Sequence, residues 1–155
     1  MKKNHKIIII SLIAVLLLLT LLSPLIAHGY NACVAKVMES RMSRTLKKLD
    51  IEVCDSANYH GKLNGNGNGT AYSCVFLIKG EAEKVMASLN DAGVDYSIGY
   101  ATESKDGAFD IIYLEHRDVK FDNKEFAENP SEYFALYAYD TTELSWLGDS
   151  DFCSH

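Results

Sequence analysis

The stretch TAYSCVFLIK, residues 70–79, alternates in the two-residue period of a β-strand. Its side chains at every second position lie on one face: Tyr72, Cys74, Phe76 and Ile78. The preceding run GKLNGNGNG, residues 61–69, is rich in Asn and Gly, which tolerate the positive φ values of tight turns. Before that run, IEVCD at residues 51–55 alternates again. The sequence therefore predicts two neighbouring strands joined across the Asn-Gly run.

Two segments outside this pair have the helical period of three and four residues. Residues 81–92 form one such segment, and Gly93 follows where a helix commonly ends. Residues 34–49 form the other, with a predicted apolar stripe of Val34, Val37, Met38, Met42, Thr45, Leu46 and Leu49. We expect two amphipathic helices that pack on one side of a sheet.

Four further strands are predicted, over residues 94–100, 109–113, 133–139 and 144–147, with an irregular charged segment at 116–132. Short connections predict that the first two form one hairpin and the last two another. The expected fold class is therefore α+β. It has an antiparallel β-sheet of about six strands in hairpins with two packed amphipathic helices, preceded by an N-terminal hydrophobic leader helix.

The leader is an uncharged apolar run from Ile7 to Ala27 that follows three lysines. Its length is about the 20 residues that a membrane-spanning helix needs, although Pro24 is expected to break the helix near its end. Lysines before the run predict that the N-terminus stays in the cytoplasm and the rest of the chain faces outside. The predicted anchor helix includes Ile7, Leu16, Leu22 and Ile26.

A signal peptide is the alternative for the same segment. Ala27 and Gly29 are small residues at the two positions that a signal peptidase recognises, with cleavage before Tyr30. Residues 1–29 are thus expected to be a signal anchor or a cleaved signal peptide, and residues 30–155 a single extracytoplasmic α+β domain. The location is the cell membrane in the first case and the secreted fraction in the second.

The extracytoplasmic part is acidic. It holds all 21 acidic residues and 12 of the 15 basic ones, for a formal net charge of −9. A surface of this sign repels phosphate backbones, so nucleic-acid binding is not expected.

All four cysteines follow the leader, where the compartment is oxidising, so two disulfides are expected. We predict that Cys54 pairs with Cys74 across the Asn-Gly turn and that Cys33 pairs with Cys153, although four cysteines allow three connectivities. The spacing contains no zinc motif, and no cofactor is expected.

Candidate site residues are few. His60 and His116 lack the spacing of a catalytic or metal motif, so isolated surface histidines are favoured. Tyr133, Tyr137 and Tyr139 share one face of a strand that is apolar on both sides, which favours a core strand. The alternative is an exposed aromatic binding surface formed by these tyrosines with His60.

A resemblance follows from the pair His60-Gly61 beside the Gly-Asn-Gly run, the helix at Glu81 and the late Tyr139-Asp140-Thr141. In these features the chain resembles a set of small exported or membrane-anchored proteins of Gram-positive bacteria, which implies export and a bacterial source and no site residues. The expected function is a binding or interaction domain for a protein or small-molecule partner outside the cell. The alternative is an envelope-localised hydrolase with a site assembled from distant residues.

Overall fold

The structure is a computed structural model that describes residues 2–60, 72–105, 108–111 and 117–140. Helix α1 spans Lys2–Lys48, α2 spans Ala82–Asp91 and α3 spans Lys124–Glu128, followed by a 3-10 turn at Pro130–Glu132. The described strands are β1 Val53–His60, β2 Tyr72–Lys79, β3 Ser97–Ala101, β4 Ser104–Lys105, β5 Ala108–Ile111, β6 Arg117–Lys120 and β7 Tyr133–Asp140. The predicted strand at residues 144–147 lies outside the described residues.

The main sheet has four antiparallel strands in the order β1-β2-β7-β3. The predicted pairing of the two strands on either side of the Asn-Gly run is confirmed, because β1 and β2 are antiparallel neighbours. β2 and β7 occupy the centre, and their side chains are buried on both faces over most of their length. The α+β class with an antiparallel sheet is therefore as predicted.

The predicted hairpin of residues 94–100 with 109–113 is wrong. β3 pairs with β7, whereas β5 pairs with β4 and β6 in a separate three-stranded sheet. A strand that is apolar on both faces, such as β7, needs a neighbour on each edge, and β3 supplies the second one. The segment predicted to be irregular contains β6, α3 and the 3-10 turn.

Helix α1 is continuous where two separate elements were predicted. It runs through Pro24 and Gly29 and includes the segment that was expected to form a second helix. The expected helix break at Pro24 is wrong, since a proline removes one backbone hydrogen bond and the remaining residues of the helix keep theirs. The predicted boundary between residues 29 and 30 thus falls inside a regular helix.

The second half of α1, residues 27–48, packs on β1 and β2. Its buried stripe recurs every three or four residues and consists of Ala27, Asn31, Ala35, Met38, Met42 and Leu46. Val37, predicted on this stripe, is exposed instead. Residues of α1 and α2 form one apolar cluster on this face of the sheet, together with Tyr72, Cys74, Phe76 and Ile78 of β2.

The opposite face of the sheet is covered by the small sheet and α3. Phe109 of β5 stacks on Phe126 of α3, with ring centroids 5.2 Å apart. The Asn123 side chain caps α3 by accepting a hydrogen bond from the Phe126 backbone N–H at 3.0 Å. This layer covers Tyr133 and Tyr137, which are buried, and Tyr139 packs at its margin.

The three tyrosines of β7 therefore do not form an exposed aromatic face. Gly99 of β3 lies beside Tyr137, and a Cβ added there would stand 2.5 Å from the tyrosine Oη. The ring of Tyr137 thus occupies the space that a larger residue at position 99 would need.

Candidate functional site

Positive charge is concentrated on the second half of α1. Residues 34–49 have a net charge of +4, whereas residues 50–155 have a net charge of −13. The cations are Lys36, Arg41, Arg44, Lys47 and Lys48. In the described part of the chain, ion pairs join Lys79 to Glu132 and Lys84 to Glu81, and none involves a cation of α1.

The one carboxylate among these cations is committed to the sheet. Glu39 accepts a hydrogen bond from the Ser56 hydroxyl at 2.6 Å and another from the Asn58 side-chain amide at 2.9 Å. Both donors lie on β1, so the contact fixes the angle at which α1 crosses this strand. Both oxygens of Glu39 are engaged with β1, and the five cations are exposed.

Three of the cations line a groove between α1 and residues 92–96, which connect α2 to β3. The groove has a volume of about 420 Å³, and its cations are Arg41, Arg44 and Lys48. Arg41 Nη1 donates a hydrogen bond to the Tyr96 hydroxyl at 3.4 Å across it. Gly93 adopts φ +66°, which lets the chain turn after α2 as the sequence predicted.

The groove has the chemistry of an anion site. Met42 and Val94 contribute apolar surface to it, and Asp95 is its one carboxylate. Arginine binds carboxylates with two parallel N–H donors, and the terminal amine of Lys48 adds a third positive charge. From Arg41 to Lys48 the helix rises about 10 Å, which is the length of about three extended residues of a ligand chain.

The predicted site residue His60 contacts another histidine. Its Nε2 atom lies 3.0 Å from Nε2 of His28 on α1, with ring centroids 4.3 Å apart and planes at 58°. Burial and the neighbouring His28 lower the pKa of His60 below its usual 6.5. The other predicted histidine, His116, lies outside the described residues.

Sequence reasoning missed His28. It directly follows the apolar run, at the point where α1 begins to pack on the sheet. Its position after the apolar run is the only local signal for His28. Its contact with His60 depends on the end of β1 lying beside this turn of α1.

A row of polar side chains continues from His60 across the end of the sheet. Tyr72 of β2 is the register partner of His60, and Asp140 of β7 is the register partner of Tyr72. Burial, the charge of Asp140 and a hydrogen bond from the tyrosine hydroxyl to that carboxylate raise the pKa of Tyr72 to about 12. Tyr72 is therefore held in its neutral form, as a hydrogen-bond donor.

The predicted disulfide between Cys54 and Cys74 is wrong. The register partner of Cys74 is Asn58, four residues along β1 from Cys54, which is about 13 Å of strand. The two side chains also belong to clusters on opposite faces of the sheet. Bridged Cα atoms must lie within about 7 Å, so these two residues cannot be joined.

No disulfide joins the three described cysteines to one another. Cys33 is exposed on α1, Cys54 is half-buried and Cys74 is buried, whereas Cys153 lies outside the described residues. Burial raises the pKa of the Cys74 thiol to about 12 and also raises that of Cys54. The buried thiol of Cys74 is therefore held protonated and unreactive at neutral pH.

Comparison of the chain with protein-family models, with curated proteins and with solved structures finds no match. The candidate function therefore depends on the geometry of the groove and of the histidine pair. The groove lining contains no histidine, and the contact recorded for the His60 ring is to His28. The groove lining includes Asp95 and the pair consists of two histidines, and the alternative of an envelope-localised hydrolase stays a prediction.

Proposed function

We propose that this protein is a membrane-anchored binding domain on the outer side of the membrane, and that its basic groove takes an acidic segment of a partner protein. The observation that carries the proposal is that Arg41, Arg44 and Lys48 line one groove of an otherwise acidic domain. Three positive charges against the single carboxylate of Asp95 leave the groove with a positive potential, which attracts groups of the opposite sign.

Membrane attachment is supported by the first half of α1. This segment is part of a single helix that is long enough and apolar enough to cross a membrane or to act as a signal sequence. Its most apolar window has a mean hydropathy of 2.8. None of that window is buried against the rest of the protein, and the predicted anchor residues Ile7, Leu16, Leu22 and Ile26 are all exposed. Side chains of this kind are stable in lipid and unfavourable in water.

Retention of this helix is favoured over cleavage. Ala27 is fully buried, and His28 contacts His60, so both residues belong to the folded domain. Cleavage before Tyr30 would remove both from the domain and expose the surfaces they cover. A retained helix also gives the domain a fixed connection to the membrane, because α1 passes into the domain without a linker.

The acidic character of the rest of the domain restricts the partner. A long polyanion such as nucleic acid would run beyond the groove onto surfaces that repel it. A short acidic peptide segment can place two or three carboxylates against the cations and stay within the groove. Binding of this kind is expected to weaken as salt screens the charges.

The proposal is tested with a fluorescently labelled tetra-aspartate peptide and the full-length protein in detergent micelles. We expect the fluorescence anisotropy to report saturable binding that weakens between 50 mM and 500 mM salt. Arg44→Glu should reduce the affinity by about tenfold or more, since it replaces an attraction with a repulsion. Lys36→Glu is the matched control, because it makes the same charge change on the same helix outside the groove.

Two results would contradict the proposal that the groove binds an acidic segment. One is a wild-type protein that does not bind the peptide at low salt, and the other is an equal loss for both variants. The second result would mean that the peptide responds to net charge alone.

The disulfide between Cys33 and Cys153 stays a prediction. Cys33 is exposed, so an oxidant of the extracytoplasmic compartment can reach its thiol and join it to another. Mass spectrometry of the native protein without reduction would report that bridge as a loss of two mass units. The same measurement reports the N-terminus, so it also distinguishes a retained anchor from a secreted domain.

A further inference from the structure

The histidine pair joins two elements that are distant in sequence. His28 belongs to α1 immediately after the apolar run, and His60 is the last residue of β1. Their Nε2 atoms lie 3.0 Å apart in a hydrogen bond in which one ring donates and the other accepts, so a metal ion would take the place of the shared proton. Nδ1 of His60 is buried, so Nε2 is the nitrogen through which this ring can reach a ligand.

The separation of the two nitrogen atoms matches the span of two ligands on one metal ion. Imidazole nitrogen binds transition metals at about 2.0–2.1 Å. Two such bonds at right angles place the nitrogens about 2.9 Å apart, and a tetrahedral angle places them about 3.3 Å apart. The observed 3.0 Å lies between these values, so both rings can bind one ion with a shift of a few tenths of an ångström.

We propose that His28 and His60 bind one divalent transition-metal ion where the membrane helix enters the domain, and that Cu²⁺ binds there more tightly than Ni²⁺ or Zn²⁺. The order follows the general affinity of nitrogen sites for these ions. The observed separation, close to that of two ligands at a right angle, also suits the tetragonal geometry of Cu²⁺. This site is independent of the basic groove and of what the groove binds.

Within the described part of the chain, the open coordination positions of the ion are left to water. Among the described residues, no group of three His, Cys, Asp or Glu side chains is placed to hold a metal ion. His28 is exposed, so water has access to the open positions of the ion. A two-ligand site of this kind favours imidazole-binding metals over Mg²⁺ and Ca²⁺, which require a larger set of oxygen ligands.

Metal binding by the pair depends on pH. A histidine binds a metal only through an unprotonated nitrogen, and protons compete with the ion. Metal binding would fix His60 with its proton on Nδ1 and would join α1 to the end of β1.

The test is isothermal titration of the full-length protein in detergent micelles at pH 7.5 with CuCl₂. We expect one Cu²⁺ per chain, weaker binding of ZnCl₂, and no binding of MgCl₂. His28→Gln should weaken Cu²⁺ binding by about tenfold or more, because one of two imidazole ligands is lost. His5→Gln is the matched control, since His5 lies on the same helix, 23 residues before His28.

Electron paramagnetic resonance of the Cu²⁺ complex supplies a second measurement. We expect the hyperfine pattern of two nitrogen ligands in the wild-type protein and of at most one in His28→Gln. The substituted side chain is exposed, so this variant is expected to fold, and far-UV circular dichroism checks that it does. Wild-type protein that binds no Cu²⁺ would overturn the proposal, as would His28→Gln with unchanged affinity or His5→Gln with an equal loss.

Discussion

The two halves of α1 have the same backbone and opposite surroundings. In the first half the apolar side chains are exposed on every side, with Leu12 at 58%, Leu16 at 61% and Leu21 at 74%. In the second half, Ala35, Met38 and Leu46 are completely buried, and the cations lie on the outer side. The difference shows that the arrangement of apolar residues, and not their number, determines whether a helix joins a protein core.

Each half suits a different solvent. A helix that is apolar all round satisfies its own backbone and can lie in lipid, whereas a helix with one apolar stripe requires an apolar partner surface. The change occurs within one turn, since Ile26 is exposed and Ala27 is buried. The apolar half and the packed half are therefore two parts of one continuous helix.

The largest expected effect is a difference in reaction rate between a thiol on the outer side of the second half of α1 and a thiol that this half covers. In reduced protein, Cys33 on the outer side should react with a maleimide at least about a thousandfold faster than Cys74, which lies beneath α1 in the central strand. Cys74 becomes accessible only when this part of the core opens, and burial holds its thiol protonated. Labelling followed by peptide mass spectrometry measures both rates, and the two thiols should react alike in denaturant.

Equal rates for the two cysteines in the folded protein would show that α1 does not cover the sheet. Loss of the difference in denaturant is the control, because it shows that the local sequence around Cys74 is not what limits the reaction.

A second test truncates the same side chain in each half. Leu46→Ala should lower the free energy of unfolding by about 2–5 kcal/mol, because it leaves a cavity against the sheet. Leu16→Ala should change it by less than about 0.5 kcal/mol, since this side chain touches nothing in the domain. Denaturant titration of the full-length protein in micelles, followed by circular dichroism, measures both. A similar loss for both variants would contradict the distinction between the halves.

A third test adds charge to each half. Leu16→Arg should disfavour membrane insertion by about 3–4 kcal/mol, because a guanidinium near the middle of the apolar run replaces a side chain that favours insertion. Val37→Arg should leave both insertion and folding unchanged, since Val37 is exposed on the outer side of the packed half. The fraction of protein that resists carbonate extraction from membranes measures insertion. If Leu16→Arg stays fully embedded, the first half is not the anchor.

The smallest expected effect is at the junction of the two halves. The pKa of His60 is lower in the folded protein than its usual 6.5, so the unfolded chain binds more protons between the two values. The free energy of unfolding should therefore fall as the pH decreases through 6.5. Denaturant titrations at pH 8 and pH 5.5 measure this change, and His60→Gln should show a smaller one. If His60→Gln shows the same pH dependence as the wild-type protein, His60 is not the group that causes it.

The strands and helices of this fold were largely readable from local patterns. The alternation at Tyr72, Cys74, Phe76 and Ile78 predicted β2, and Gly93 correctly marked the end of α2. The pairing of β3 with β7 was not readable, because alternation identifies a strand without its neighbour. The pairing of β3 with β7 is decided by the central place of β7, which requires a neighbouring strand on each edge. Layers cover both faces of the sheet there and keep β7 in its centre.

The candidate site was less predictable than the fold. His60 was identified as a candidate, but its partner His28 was assigned to the leader and not to the domain. The basic charge of residues 34–49 was visible, yet nothing in the sequence places residues 92–96 opposite Arg41. The pairing of Cys54 with Cys74 was predicted from the turn between them, and the register and the faces of β1 and β2 exclude it.

The sequence by itself determined the properties that depend on near neighbours in the chain. These are the length of the apolar run, the periods of the helices and strands, and the sign of the charge along α1. Tertiary structure decided which faces meet: the histidine pair, the groove and the separation of Cys54 from Cys74. The physical reason is that helix and strand periods are set within a few residues, whereas contacts between elements are set by how all apolar faces are covered at once.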